Sequence, residues 1–174
     1  LHMNNHFTGF MFFGLALMTA CGTPVAEVPA PSDTDTLRYD AEAHLRNVRQ
    51  LTFGGDNAEA YWSFDSEKLV FQANNPAWGT DCDQIFWMDL TADATEKAEG
   101  LNQISNGQGR TTCAYFLPGD TTVVFASTHL ADTLCPEVPP RGPKGEYVWP
   151  IYEGYDVFTY DLEGNPIAQL TFEP

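Results

Sequence analysis

An all-β chain assembled from repeated four-stranded units is what the sequence predicts, on three observations. Turn residues recur about every ten positions between β-favouring runs, a meander signature. Gln50 to Phe71 shows it: Gly-Gly-Asp-Asn (54–57) and Phe-Asp-Ser-Glu (64–67) divide three apolar runs. The chain also repeats itself. Gln50-Leu51-Thr52-Phe53 reappears unchanged as Gln169-Leu170-Thr171-Phe172, and Tyr61–Ala73 aligns with Tyr115–Ser127 at an offset of 54. Finally, strand formers abound (12 Phe, 7 Tyr, 4 Trp), and no internal segment carries a long 3.6-residue periodicity.

The N-terminus is not part of that pattern. With Met3 taken as the start, Phe7 to Ala20 is almost wholly apolar, short for a membrane span and suited to the core of a signal peptide. It runs into Leu17-Met18-Thr19-Ala20-Cys21-Gly22, which resembles a bacterial lipobox and implies lipidation of Cys21. Asn4, Asn5 and His6 stand where such a leader usually carries Lys or Arg. Thr23 to Thr36, with Pro24, Pro29 and Pro31, has the composition of a tether. The expected division is a signal segment 1–21, then a tether and lead-in 22–46, within which 38–46 is read as a short helix or a lead-in. A first unit 47–101, a second 102–168 and the opening of a third at 169–174 follow.

Strands are expected at Val48–Phe53, Ala58–Phe64, Lys68–Ala73 and Gln84–Leu90. Thr91 to Leu101 reads as an acidic connection, and Gln103-Ile104-Ser105 takes the place of Gln50-Leu51-Thr52. The second copy continues at Thr112–Leu117, Thr122–Ser127 and Asp156–Leu162, around an insertion (128–155) that holds five prolines, Cys135 and Trp149. Four-stranded repeats are the blades of a β-propeller, and one blade cannot bury both of its faces. Two blades with a third just opened are therefore expected to leave an apolar face exposed.

Leu51-Thr52 followed by Tyr61-Trp62-Ser63-Phe64-Asp65-Ser66-Glu67-Lys68-Leu69-Val70-Phe71 resembles the TolB-type, WD-like propeller repeat. That repeat reads leucine-threonine, then tryptophan-serine-proline-aspartate-glycine, then an apolar strand. Phe64 stands at its proline and Ser66 at its glycine. The resemblance spans about residues 47–174. It implies an envelope or periplasmic propeller used for binding, tethered on the periplasmic side through its lipid. Some relatives carry such a propeller beside a peptidase or amidohydrolase domain, so an accessory role in a larger hydrolase is the alternative reading.

A charge of −16, from 24 acidic and 8 basic residues, argues against nucleic acid and anionic membrane surfaces as partners. The propeller resemblance implies an envelope protein or peptide as partner, and the lipobox resemblance implies a membrane reached through the lipid anchor. No Gly-x-Ser-x-Gly, His-Glu-x-x-His or phosphate-binding loop is present, and no cofactor is implied. Asp65 and Asp120 read as turn formers rather than general bases.

The loop entering the first strand of a blade and the loop leaving the second share one rim. That rim is expected to hold Asp56, Asn57, Asn75, Arg110, Thr111, His129 and the insertion with Trp149 and Tyr152 as aromatic anchors. Asp56 and Arg110, 54 apart, are expected at matching positions on adjacent blades, pairing with each other or holding a carboxylate or peptide terminus. With Cys21 assigned to lipid, Cys82, Cys113 and Cys135 are the disulfide candidates. Cys113–Cys135 would staple the insertion to its own blade and Cys82–Cys113 would link two blades. Neither cysteine nor histidine spacing suits a metal.

Overall fold

A computed structural model of the protein describes residues 37–39, 41–90, 101–148 and 150–172. Cys21 with the signal segment, the tether to residue 36, the connection 91–100 and Trp149 lie outside them. Residues 1–48 and 49–174 form separate units. In the first, 37–48 is a lead-in of turns rather than a helix, with Glu42 N donating to Tyr39 O at 2.9 Å.

The second unit holds two four-stranded antiparallel sheets, each in meander order, the arrangement of propeller blades. The first comprises β1 (Asp56–Trp62), β2 (Lys68–Asn74), β3 (Gln84–Asp89) and β4 (Leu101–Gln103). The second comprises β5 (Thr111–Phe116), β6 (Thr122–Ser127), β7 (Asp156–Asp161) and β8 (Pro166–Gln169). A single 3-10 turn, Pro76–Trp78, sits between β2 and β3.

The repeat is exact in its irregularities. Asn57 pairs with Ala73 as Thr111 pairs with Ser127, and both hairpins then slip register, between Ala58 and Tyr61 and between Thr112 and Tyr115. The bulge residues are Glu59 (φ 52°) and Cys113 (φ 57°), again 54 apart. A non-glycine residue with positive φ is uncommon, so its recurrence marks one inherited backbone. Gly55 (φ 65°) and Gly109 (φ 62°) form a second such pair; a Cβ on Gly55 would lie 2.5 Å from Asn74 O, and on Gly109 2.7 Å from Thr128 Oγ1. Both need the left-handed backbone and the missing side chain. The far hairpin turns match as well: Ser63 N donates to Lys68 O at 2.9 Å and Leu117 N to Thr122 O at 2.8 Å.

Two expectations about the strands are corrected. Val48–Phe53 is not a strand, and the fourth strand of each sheet follows the third rather than preceding the first. The Gln-Leu-Thr signature explains the shift, because it ends a sheet instead of opening one. Gln103 and Gln169 are the last residues of β4 and β8. Ile104 N and Leu170 N then donate to Ile85 O and Val157 O at 2.8 and 2.7 Å. Ser105 and Thr171 hydroxyls accept from Ile85 N and Val157 N at 2.9 and 2.8 Å. Residues 169–171 thus complete the second sheet, where a third unit was expected to open. Among the described residues no strand precedes Gln50-Leu51-Thr52, and there the signature joins no ladder.

The main core lies between the sheets. Alternation along β2 sends Val70 toward the second sheet and Leu69, Phe71 and Ala73 away from it. Val70, Ile85 and Ile104 meet Ala114, Phe116, Val123, Phe125, Phe158 and Tyr160, with Trp87 and Leu162 at the edge. Polar contacts frame this interface. Trp87 Nε1 donates to Leu162 O at 3.0 Å, and Asp120 accepts from Phe64 N and Asp65 N at 2.8 and 2.9 Å. Gln72 Oε1 accepts from the Thr112 hydroxyl at 2.8 Å. A second cluster, Leu69, Phe71, Ala73, Phe86 and Met88, lies on the other face of the first sheet, partly covered by Leu51, Trp78, Leu90 and Leu101.

Candidate functional site

The rim gathers the starts of β1 and β5, the loops after β2 and β6, and the approaches to β3 and β7. Asp65 and Asp120 are at the other end, inside hairpin turns. Asp65 accepts from the Ser63 hydroxyl (2.5 Å), Glu67 N (3.0 Å) and Lys68 Nζ (3.0 Å). These bonds, the Ser63 hydroxyl foremost, lower its pKa to about 2.

Arg110 is the centre of the rim. Its Nη1 lies 3.0 Å from Asp83 Oδ2, and its guanidinium sits 5.4 Å from the centroid of the Tyr152 ring. Arg110 therefore pairs with Asp83, the residue before β3, and not with Asp56. Asp83 is well placed to do this because its backbone oxygen accepts from both Thr111 N and the Thr111 hydroxyl at 3.0 Å. Burial raises the Asp83 pKa, Arg110 lowers it, and Asp56 nearby raises it further. Desolvation outweighs the ion pair. Burial likewise pushes Tyr155 up to about 12, against the pull of Arg110. Among the described residues Arg110 Nε finds no hydrogen-bond partner.

A cavity of about 240 Å³ opens on the same rim, lined by Thr80, Asp81, Gln84, Gly107 and Thr133 beside a disulfide. Buried Gln84 forms one wall. Its Nε2 donates to Gly109 O at 3.0 Å, and its Oε1 accepts from the Ser105 hydroxyl and Gly107 N at 2.7 and 3.1 Å. Every polar atom of that amide oriented by this network is used, which fixes the loop 105–109.

The disulfide joins Cys82 and Cys135, a pairing outside the two that sequence reasoning considered. It ties the loop before β3 to the insertion of the second sheet, and Gly109 N donating to Thr133 O at 2.9 Å holds the same segment down. Cys113, the bulge residue of β5, takes no part in it. It is a free thiol on an exposed residue, and partial desolvation of the sulfur raises its pKa.

The remaining candidates divide into exposed and structural groups. Asp56 and Asn57 are exposed, Asn57 Nδ2 donating to Gly54 O at 3.1 Å. Asn75 is buried: it caps the 3-10 turn by accepting from Ala77 N at 3.0 Å and donates to Phe53 O at 3.3 Å. Thr111 is fully buried under Asp83. His129 packs its ring 4.5 Å from Phe158, sets Nδ1 2.8 Å from the Ser127 hydroxyl, and has a pKa lowered by burial. In the first sheet Trp78 meets Phe86, the counterpart of Phe158, edge-on with ring centroids 5.4 Å apart. Asn75 and Thr111 are buried and His129 is half-buried, so all three contribute to the scaffold at the rim. Cys21 and Trp149 lie outside the described residues.

Sequence reasoning missed Asp83, Gln84 and Tyr155. A signal existed in the alignment of the two copies. Offset by 72, β3 superposes on β7, so Asp83 and Gln84 correspond to Tyr155 and Asp156. Asp156 accepts from the Thr171 hydroxyl and Gln169 Nε2 at 2.8 and 2.9 Å, as Gln84 accepts from Ser105. Among the described residues no three His, Cys, Asp or Glu side chains gather as a metal would require. No family model matches the chain, and no curated protein matches it.

Proposed function

We propose that this chain is a non-enzymatic binding module, a TolB-like β-propeller of a bacterial envelope lipoprotein that presents its loop-rich rim to a protein or peptide. The observation that carries this reading is the fixed insertion. Residues 128–155 are the largest departure from the chain's own repeat, and they are tied to the first sheet by Cys82–Cys135 and to Arg110 by Tyr152. A long loop held on a rigid scaffold pays little ordering entropy on binding. A disulfide suits an oxidising compartment such as the periplasm. The lipobox resemblance at Cys21 supplies the anchor.

Two measurements test this. Photocrosslinkers placed at Tyr152 on the rim and at Glu67 in the opposite turn are compared in envelope preparations. Adducts from position 152 and none from 67 are expected; equal labelling would remove the rim from consideration. Cys21→Ala is expected to move the protein from the membrane to the soluble fraction, and unchanged partitioning would defeat the anchor.

A further inference from the structure

The core between the two sheets is one interface seen from both sides, and among the described residues each side recurs, only partly covered, at an outer face of the sheet pair. On the receiving side, Phe116 is 0% exposed against the first sheet, whereas Trp62, at the same repeat position, is 54% exposed. On the donating side, Ile104 is 1% exposed, whereas its counterpart Leu170 is 52% exposed. Val70 and Ile85 are fully buried, and their counterparts Val124 and Val157 are half-buried. A groove of about 260 Å³ lies on the receiving face of the first sheet, lined by Leu51, Ala58, Ala60, Leu69, Phe71 and Met88. The second sheet meets Val70 and Ile85 with the corresponding surface, including Ala114, Val123, Phe125 and Tyr160.

We propose that the two outer faces meet each other, so that the second sheet of one copy docks Val124, Val157 and Leu170 onto the first-sheet face of a second copy, which carries exposed Trp62 and this groove. The internal interface is the template for this contact, and it also supplies polar matching at the rim. There, Asp83 of the first sheet pairs with Arg110 of the second. The corresponding residues between copies are Tyr155 and Asp56, a phenol donor facing a carboxylate acceptor. The contact is weaker than its template at the opposite end. Pro118 replaces Phe64 and has no N–H, and Ser66 replaces Asp120, so the two bonds to that carboxylate are not both reproduced. Such a contact is heterologous and closes into a ring when rotations permit. Propellers hold four to eight blades, so with the two described sheets in each copy a closed ring takes two to four copies.

The proposal uses the observed sheets and is independent of the envelope-binding reading. It is tested by sedimentation of the full chain in density-matched detergent. The expected species has two, three or four times the mass of a single copy and falls apart on dilution. Trp62→Arg and Val157→Glu each spoil one face. Each is expected to sediment as single copies, with association weakened by more than about thirtyfold, the effect of losing a binding hot spot. Mixed in equal amounts, the variants still have one intact face each and are expected to form a two-copy species that grows no further. Leu170→Glu, at an exposed residue after β8, repeats the Val157 arm if that variant loses its near-ultraviolet dichroism. Single copies of the unaltered chain at every concentration overturn the proposal, as does a two-copy species that Trp62→Arg abolishes and neither donating-face variant affects.

Discussion

β1 and β5 are the same strand twice, with the same bulge, yet every residue of β1 is exposed while Thr111, Ala114 and Phe116 of β5 are buried. Their sequences do not account for that. Trp62 is at least as apolar as Phe116, and Ala60 matches Ala114. What differs is the presence of a sheet in front. Burial in a repeat architecture belongs to the interface between units, and one unit alone has half of it. The difference also separates scaffold from surface. Residues that the first sheet covers hold the protein together, and among their twins those on β1, Ala60 and Trp62, stand exposed while Leu69, Phe71, Phe86 and Met88 are buried in a cluster of their own.

The sharpest way to break this comparison is a matched pair of truncations. Phe116→Ala is expected to cost about 3–5 kcal/mol, the usual range for a buried phenylalanine. Trp62→Ala at the twin position is expected to cost under about 1 kcal/mol. Urea unfolding, at concentrations where the chain is a single copy, reads both. Equal losses would mean that position, not the neighbouring sheet, sets the energetics.

Next in size is the disulfide, which binds the two sheets through the insertion. It spans 53 residues, and constraining the unfolded chain over such a loop is worth about 4 kcal/mol in the chain-entropy account, with engineered cases delivering less. Cys82→Ala with Cys135→Ala is expected to lose roughly 2–4 kcal/mol, and the double change avoids a stray thiol. Cys113→Ala is expected to change stability little, since that cysteine forms no disulfide. If Cys113→Ala proves the costlier, the bulge has been misjudged.

Much of this fold was readable because a repeat prints its period twice. Tyr61 and Tyr115, or Leu69-Val70-Phe71 and Val123-Val124-Phe125, locate β1, β2, β5 and β6 within two residues. The phase of the sheet was harder. Gln50-Leu51-Thr52 has the composition of a strand, and only the bonds from Ser105 and Thr171 back to β3 and β7 show that this signature closes a sheet. The bulges were invisible because neither Glu59 nor Cys113 favours positive φ. Pairing of Cys82 with Cys135 depends on the sheets lying face to face, a tertiary fact with no local trace. The rim was legible as a place, through Arg110 and the insertion, but its partner Asp83 looked like any acidic loop residue.

The smallest expected effect compares Asp83 with its counterpart Tyr155 across the same 72-residue offset. One repeat position holds a carboxylate in the first sheet and a phenol in the second, and burial opposes ionisation in both. For Tyr155 the folded pKa is about 12, against about 10 in an unfolded chain. Between those values the unfolded chain has lost a proton that the folded chain keeps, so the folded state binds more protons and stability falls as pH rises. Below pH 10 the group contributes no pH dependence. Tyr155→Phe is expected to leave stability near neutrality within about 1 kcal/mol and to flatten part of the decline between pH 10 and 12. The same variant should lose one late phenolate step in ultraviolet titration at 295 nm. A Tyr155 that ionises near pH 10 would show that the rim beside Arg110 is open to water and that its resemblance to the Asp83 site ends at the backbone.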